Sequence, residues 1–279
     1  MSELATVGRA LAHARKIGVD RLDAQLLLVQ QIGCARAWLL AHDDAVLAGT
    51  DQEAVGALLT RRAAGEPLAY LIGVREFHGL LLHITPDVLV PRPDTETLVD
   101  WALELLADLD TPRVIDLGTG SGAIALALKQ ACPRARIHAS DASPQALAVA
   151  RGNGQRLVLP ITWHLGDWWR PLDPALRFDI AVANPPYIAP GDPHLAALQH
   201  EPQAALVAQD DGLADIEHII AGAPGRLNPS GWLLLEHGFD QADAISKRLL
   251  QIGFSVVATR RDLAGQPRVS GGQWGAAMV

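Results

Sequence analysis

Arg113-Val114-Ile115-Asp116-Leu117-Gly118-Thr119-Gly120-Ser121-Gly122-Ala123-Ile124-Ala125-Leu126-Ala127-Leu128-Lys129 decides the fold of this chain. Arg113–Leu117 reads as a short buried strand, and Ala123–Lys129 as a helix of strong helix formers. The glycines between them let the backbone turn tightly and come close to whatever is bound there. Their spacing is G-x-G-x-G rather than the G-x-G-x-x-G of dinucleotide sites, and such a turn is weak evidence by itself. Two more strands strengthen it. Arg136–Ser140 ends in Asp141, and Ile161–Leu165 leads into Gly166-Asp167-Trp168-Trp169. Successive strand ends on one edge of a parallel sheet describe a nucleoside pocket, with Asp141 accepting from ribose hydroxyls, Asp167 from an adenine amino group, and Trp168 covering the ring. Trp163 and Trp169 read as core.

Further along, the apolar run Phe178–Ala183 ends in Asn184-Pro185-Pro186-Tyr187. Proline locks φ and removes backbone donors, so the carbonyls here remain to accept from a ligand. Asn184 supplies donor and acceptor, and Tyr187 an aromatic face. Asn-Pro alone is common turn chemistry; the full tetrapeptide after a buried strand suits holding a flat amino group in place. Helix and strand patterns then alternate through Asp215–Ala223, Trp232–Glu236, Asp240–Leu250, Phe254–Thr259 and Val269–Trp274, as in an α/β sheet with helices on both faces. Upstream, Ser2 to about Gly65 is amphipathic and helical, with Gly18, Gly33 and Gly49 at helix ends, a bundle of four or five helices. Alternation around Gly79 and Pro86 predicts a hairpin from Tyr70 to Val90. Pro91–Glu96 reads as extended, with Asp94 or Thr95 capping a helix over Leu98–Leu106.

Composition bounds the function. The chain has 279 residues, 49% hydrophobic and 19% charged, and a formal net charge of −8. Residues 1–90 hold 8 Lys+Arg against 10 Asp+Glu, and the remainder 15 against 21. A duplex-binding enzyme neutralises several phosphates with Lys and Arg, and no basic cluster of that scale is present. Cys34 and Cys132 form no C-x-x-C pair and read as packed thiols of a reducing compartment. Met1-Ser2-Glu3-Leu4 reads as a polar helix opening rather than a secretion signal, and no apolar run is long enough to span a membrane. The ten histidines show no metal-ligand spacing, and neither Ser121 nor Ser143 has a nearby His/Asp arrangement. Glu236-His237, at a strand end, reads either as neighbours of the reaction or, first, as a hydrogen-bonded structural pair, and Gly271-Gly272-Gln273 as part of a Gly-rich tail.

Asp116 to Gly122, Asp141, Asp167-Trp168 and Asn184 to Tyr187 together resemble the successive motifs of class I S-adenosylmethionine-dependent methyltransferases. Gly65-Glu66-Pro67-Leu68, Gly73-Val74-Arg75-Glu76-Phe77, Val90-Pro91-Arg92-Pro93-Asp94-Thr95-Glu96, Asp192-Pro193-His194-Leu195 and Leu233-Leu234-Leu235-Glu236-His237-Gly238 narrow the resemblance to the release factor glutamine methyltransferases. Leu195–Glu201 looks shorter than that family's pattern, which bears on one wall of the substrate channel; the tail after Val269 is unusually Gly- and Ala-rich. The resemblance implies a Rossmann-like domain over residues 91–279 with a seven-stranded sheet, a hairpin linker over 70–90, and a substrate-docking helical domain over 1–69. It implies methylation of the glutamine amide in the Gly-Gly-Gln motif of class I peptide chain release factors, leaving S-adenosylhomocysteine. Asp116, Leu117, Gly118, Thr119, Gly120, Ser121, Gly122, Asp141, Asp167, Trp168 and Asn184 would hold S-adenosylmethionine, with no metal. Asn184, Pro185, Pro186 and Tyr187 would hold the amide, with Asn184, Pro185 and Tyr187 catalytic and Arg92 and Glu96 bordering the site. A cytoplasmic monomer, binding neither nucleic acid nor membrane, is expected. A nucleic-acid amino-group methyltransferase shares Asn-Pro-Pro-Tyr but calls for a basic groove; a non-catalytic adaptor would have no need of Asp141, Trp168 and Asn184 together.

Overall fold

The computed structural model describes residues 4–275, and the chain divides into two compact units, one ending at Val74 and one beginning at Arg75. The polar opening Met1–Glu3 and residues 276–279 of the tail lie outside the described residues. The first unit is helical: α1 (Val7–Lys16), α2 (Arg21–Ile32), α3 (Arg36–Ala41), α4 (Gly49–Ala63) and α5 (Leu68–Ile72). Thr6 caps α1 through the Arg9 N–H, and Asp20 caps α2 through the N–H groups of Leu22 and Asp23. Gly33 ends α2 in the left-handed region at φ 72°, whereas Gly49 opens α4 instead of closing a helix. Val7, Leu27, Leu28, Leu39, Val55 and Leu59 form its dry centre; each buried aliphatic side chain contributes about 1.5–3 kcal/mol. The Arg62 guanidinium meets Asp23 at 2.7 Å and ties α4 to α2.

The hairpin is shorter than its pattern predicts. Tyr70 belongs to α5, and pairing is confined to β1 (Val74–Phe77) and β2 (Leu80–His83). His78 and Gly79, at φ 48° and 77°, make the tight turn, and the Glu76 carboxylate accepts from the Gly79 N–H at 2.7 Å. The expected extended stretch before the next helix is cut short: Arg92 is extended at φ −98° and ψ 144°, and helical backbone begins at Pro93. Pro93–Thr95 forms a 3-10 turn that runs straight into α6 (Glu96–Leu106), and no side chain caps that helix. Thr95 is itself helical at φ −63°, so its hydroxyl does not fold back over the helix start. It meets the Asn184 side chain instead.

The main sheet has seven strands in the order β5-β4-β3-β6-β7-β9-β8. They are β3 (Arg113–Leu117), β4 (Arg136–Asp141), β5 (Thr162–Leu165), β6 (Phe178–Ala183), β7 (Leu227–Glu236), β8 (Phe254–Arg261) and β9 (Pro267–Trp274). Pairing is parallel from β5 through β7; β9 runs antiparallel to both of its neighbours. Helices α7 (Ala123–Ala131), α8 (Pro144–Leu157), a short kinked turn α9 (Gln209–Gly212), α10 (Ala214–Gly222) and α11 (Ala242–Ile252) connect the strands. The apolar runs of β3 and β6 are continuous because both faces of a parallel sheet are covered. Ile115, Leu117, Phe178, Ala181, Leu233 and Leu235 pack with Ile216, Ile219, Ile220, Ile245 and Leu249 on one side. β7 begins earlier than its apolar pattern, and its register breaks between Phe178↔Leu227 and Ile180↔Trp232.

Gly271-Gly272-Gln273 lies in β9, where Leu234 pairs with Gly271. A Cβ on Gly271 would meet Leu234 Cδ2 at 2.5 Å and the Leu233 carbonyl at 2.8 Å, so the close approach of the strands requires glycine here. Gly271→Ala is therefore expected to destabilise the protein by about 1–3 kcal/mol in denaturant titrations; an unchanged midpoint would show that the strands separate without cost.

Candidate active site

β3 pairs with β4 on one side and β6 on the other, and the connections diverge from this point. A parallel sheet leaves a crevice beyond the carboxyl ends of its strands where the order reverses. The turn after β3 and Asn184 after β6 meet at that crevice. Gly118, Thr119, Gly120, Ser121, Asp141, Asp167, Trp168, Asn184 and Pro186 line one cavity of about 490 Å³. Of the other expected residues, Arg92 lines it, whereas Asp116, Leu117, Gly122, Pro185, Tyr187 and Glu96 do not. Glu96 instead accepts from the His78 N–H at 3.1 Å, tying α6 to the hairpin turn.

The glycine turn is held from below. The N–H groups of Gly118 and Thr119 both donate to the Ser140 carbonyl at 2.9 Å. Gly118 sits at φ 73°, and a Cβ there would come within 2.9 Å of the Trp168 ring. Both oxygens of Asp141 are occupied by backbone donors, Oδ2 by Gly120 at 2.8 Å and Oδ1 by Ser143 at 2.9 Å, which fixes the carboxylate's plane. Burial pushes the Asp141 carboxyl up, and these two N–H groups oppose the shift. Trp168 has φ 43°, uncommon for a bulky residue. The Ser140 hydroxyl donates to its carbonyl at 3.1 Å, and Asp215 lines the same cavity as Trp168.

Asn184 is oriented by Thr95: its Nδ2 donates to Thr95 Oγ1 at 3.2 Å, leaving Oδ1 for a ligand. Tyr187 turns its hydroxyl toward Glu236, 3.5 Å from Oε1, and its carbonyl accepts from Gln241 Nε2 at 3.0 Å. Glu236 and His237 are not a bonded pair. Glu236 faces Thr95 and Tyr187, whereas His237 contacts Ser270 Oγ and the Gly238 carbonyl, each at 2.8 Å. The Leu195–Glu201 stretch is mainly a 3-10 helix, and beyond it Pro202, Ala204 and Ala205 supply one wall of the cavity. Glu201 is buried there, accepting from the Val90 N–H at 3.1 Å and pairing with Arg92. Sequence reasoning missed Asp215 and the wall from Asp87 to Pro91; an acidic residue in a helix's first turn and a Pro-flanked linker carry no signal of a cavity. Among the described residues, no group of three or more His, Cys, Asp or Glu side chains is placed to hold a metal.

Residues 96–212 match the family model described as methyltransferase small domain, and residues 3–73 match the PrmC N-terminal domain. Among solved structures, the chain is similar to the hMettl16 catalytic domain in complex with a MAT2A 3'UTR hairpin (TM-score 0.60, 16% identity, 84% of this chain and 85% of that one). It is also similar to the Thermus thermophilus 16S rRNA N2 G1207 methyltransferase in complex with AdoMet and guanosine (TM-score 0.55, 20% identity, 72% of this chain and 49% of that one). The fold is that of a methyltransferase. The release factor glutamine methyltransferase of Bordetella pertussis is 51% identical over 257 residues, 91% of this chain and 95% of its own. That of Burkholderia pseudomallei is 48% identical over 263 residues, 91% and 92% of the two chains. The chain belongs to the release factor glutamine methyltransferase family.

Asp116 gives a test of the ground beneath the site. It is fully buried; Oδ2 accepts from Thr119 Oγ1 at 2.6 Å and from the Ala125 N–H, while Oδ1 has no partner among the described residues. Burial raises its pKa from 3.8 to about 7. The folded state thus holds this proton more tightly than the unfolded chain. Its stabilising contribution is full below about pH 4 and is lost as pH rises through 7. In urea titrations, wild type should lose stability relative to Asp116→Asn across that window, with a slope of up to ~1.4 kcal/mol per pH unit. A difference independent of pH would contradict the assignment.

Proposed function

We infer that this protein methylates the glutamine side-chain amide in the Gly-Gly-Gln motif of class I peptide chain release factors, using S-adenosylmethionine. The observation that carries the reading is Asn-Pro-Pro-Tyr at the mouth of the sheet's crevice in a chain of this family. The cavity fits the nucleoside part of the methyl donor in size, since ligand sites commonly span about 300–1,000 Å³. Its donor set fits as well: Asp141 is held rigid for two vicinal hydroxyls, Asp167 offers an acceptor, and Trp168 an aromatic wall beside the close-packed Gly118. Thr119, Gly120 and Ser121 complete that floor. When bound, S-adenosylmethionine supplies an electrophilic methyl group carried on a sulfonium.

The chain's own task is to orient a poor nucleophile. An amide nitrogen delocalises its lone pair into the carbonyl, and we take Asn184 Oδ1 and the Pro185 carbonyl to accept its two hydrogens. Those contacts aim the lone pair and favour the pyramidal nitrogen that attacks. Pro186 stiffens the turn, and Tyr187 stacks on the amide plane with its hydroxyl anchored toward Glu236. Positioning of this kind supplies up to about 7–11 kcal/mol of a barrier, and preorganised acceptors meet the positive charge that grows on nitrogen. No base is needed beforehand, because the methylated, cationic nitrogen is acidic enough to release its proton to water.

The lack of a basic cluster in the sequence favours a protein partner over nucleic acid; we assign the protein to the cytoplasm as a monomer that binds no membrane. No helix among the described residues is long and apolar enough to cross a membrane. We assign residues 1–69 to substrate docking, 70–90 to the linker and 91–279 to transfer.

Mass spectrometry of an unmethylated release factor incubated with the protein and S-adenosylmethionine tests this reading, with an adenine-rich oligonucleotide in parallel. We expect one added methyl on the Gln of Gly-Gly-Gln. Asn184→Ala should slow transfer at least a hundredfold, the scale of losing one preorganised polar contact, ~2.7–4 kcal/mol. Methyl on the oligonucleotide alone would overturn the substrate, and normal turnover by Asn184→Ala would overturn the site.

A further inference from the structure

Asn184-Pro185-Pro186-Tyr187 has few ways of being tied to the rest of the chain. Its two prolines carry no N–H, so its backbone is anchored chiefly through carbonyls. The bridge at Ile188 secures the chain only after the tetrapeptide: the Ile188 N–H donates to the Leu206 carbonyl at 2.9 Å, and its carbonyl accepts from Ala208 at 3.0 Å. The Tyr187 carbonyl is held from another quarter. It accepts from Gln241 Nε2 at 3.0 Å, across 54 residues of sequence.

Gln241 commits both ends of its amide to backbone. Nε2 also donates to the Asp211 carbonyl at 3.2 Å, and Oε1 accepts from the Gly238 N–H at 2.9 Å. Only one orientation of the amide satisfies all three partners. Rotated, it would set its oxygen against two carbonyls and its NH2 against an N–H, and none of these backbone groups can change role. Gln241 is buried and does not line the cavity. We propose that Gln241, acting through the Tyr187 carbonyl, is the positioning residue that fixes the Tyr187 ring against the substrate amide.

The surroundings suit this role. Asp210, Asp211 and Gly212 are left-handed at φ 54°, 55° and 83°, and such backbone persists only where its surroundings hold it. This turn is pressed against Tyr187: a Cβ on Gly212 would lie 2.1 Å from the Tyr187 carbonyl oxygen and 2.8 Å from Gln241 Nε2. Gln241 therefore clamps two segments that meet at one carbonyl. The helix beyond the turn is anchored by other means, because Ile216, Ile219 and Ile220 of α10 are buried in the core. Asp215, on the cavity wall, rides on that anchored helix. At the other end of Tyr187 the hydroxyl is only loosely engaged, 3.5 Å from Glu236 Oε1. The backbone grip is the firmer one and sets where the ring lies, so losing the clamp falls on Tyr187 and spares the nucleoside pocket.

The proposal rests on the functional reading above, which gives Tyr187 its place on the substrate amide, and its test separates the two. Gln241→Met removes the donors and the acceptor at nearly constant volume, whereas Gln241→Glu keeps the acceptor for Gly238 and removes only the donors. Leu249→Ala, fully buried further along α11, is the stability control. Each is compared with wild type, well below its thermal midpoint, for kcat on the release factor and for S-adenosylhomocysteine binding by calorimetry. The chain has two tyrosines, so fluorotyrosine labelling gives a fluorine resonance for Tyr187, assigned with Tyr187→Phe, and one for Tyr70 as internal reference. We expect both Gln241 variants to lower kcat roughly ten- to hundredfold, the scale of a ~1 Å misplacement, with cofactor-product affinity unchanged. In both, the Tyr187 resonance should shift or broaden without substrate, and that of Tyr70 should stay. Leu249→Ala should lower the midpoint and leave kcat and the Tyr187 resonance as in wild type. Normal kcat with an unmoved Tyr187 resonance in Gln241→Glu would overturn the clamp, leaving Gln241 only its turn with Gly238. Equal losses in Leu249→Ala would overturn it too, because general loosening would then account for them. A wild type that transfers no methyl to the release factor would overturn the functional reading, and the fluorine resonances would then decide the clamp alone.

Discussion

Parallel pairing of β3 with β4 on one side and β6 on the other is the constraint on which the rest of the molecule depends. Each connection must leave the sheet in a different direction, and no side chain of a neighbouring strand fills the gap between them. The first connection has to reverse within a few residues, so it is built from glycines anchored on the Ser140 carbonyl. The other runs through two prolines, whose fixed φ keeps the chain from closing over the crevice. Asn153 braces the same region from α8: fully buried, it donates to the carbonyls of His83 and Ser121 and accepts from the His83 N–H at 2.7 Å. One amide thereby locks the hairpin and the glycine turn to a common helix.

Buried charge is costly unless it is paired or well hydrogen-bonded. This chain concentrates such groups close to the crevice. Glu201 is locked by Val90 and Arg92 and Asp141 by two backbone donors, whereas Glu236 meets only the Tyr187 hydroxyl, 3.5 Å from Oε1, with Oε2 unpartnered among the described residues. Arg268 itself is shared between Asp262 at 3.1 Å and Asp94 at 3.5 Å, so the β8–β9 hairpin and the turn before α6 meet on one cation. Away from these positions the interior of the sheet is mostly apolar, with Asp116 and Ser270 among the buried polar exceptions. The polar groups specify how the loops sit around the cavity, and the apolar strands hold them there.

The sheet and the cradle were legible because they rest on local rules. Apolar runs of strand length, helix formers after them and glycines between are patterns of a few adjacent residues; the strand order is seen only in the structure. What was not legible lies in contacts between distant segments. Thr95 and Asp94 look like caps, because Thr and Asp before a helix satisfy its first N–H groups. In the structure a 3-10 turn carries the backbone into α6 without a cap, freeing Thr95 to meet Asn184, 89 residues away. Glu236 and His237 look like a pair because they adjoin, but Glu236 ends β7 and His237, just past it, turns to Ser270 and Gly238. Asp215 gives no hint of its place in the cavity wall for the same reason: the other walls come from separate loops.

The tripeptide Gly271-Gly272-Gln273 shows why a short motif does not define a substrate. Its strand is flanked by β7 and β8, and Gln273 Nε2 donates to the Ser230 carbonyl at 3.1 Å. A glutamine held this way cannot bring its amide to an Asn-Pro-Pro-Tyr turn without breaking the sheet on both sides. On the function proposed above, a methylated Gly-Gly-Gln would have to present its backbone free of such ladders, and glycines before the glutamine would serve entry by removing side chains that meet the walls. In β9 the same glycines serve the close approach of Leu234 and Phe254. The physical property is shared, absence of a Cβ, but in one setting it would admit the peptide to a site and in the other it closes a core.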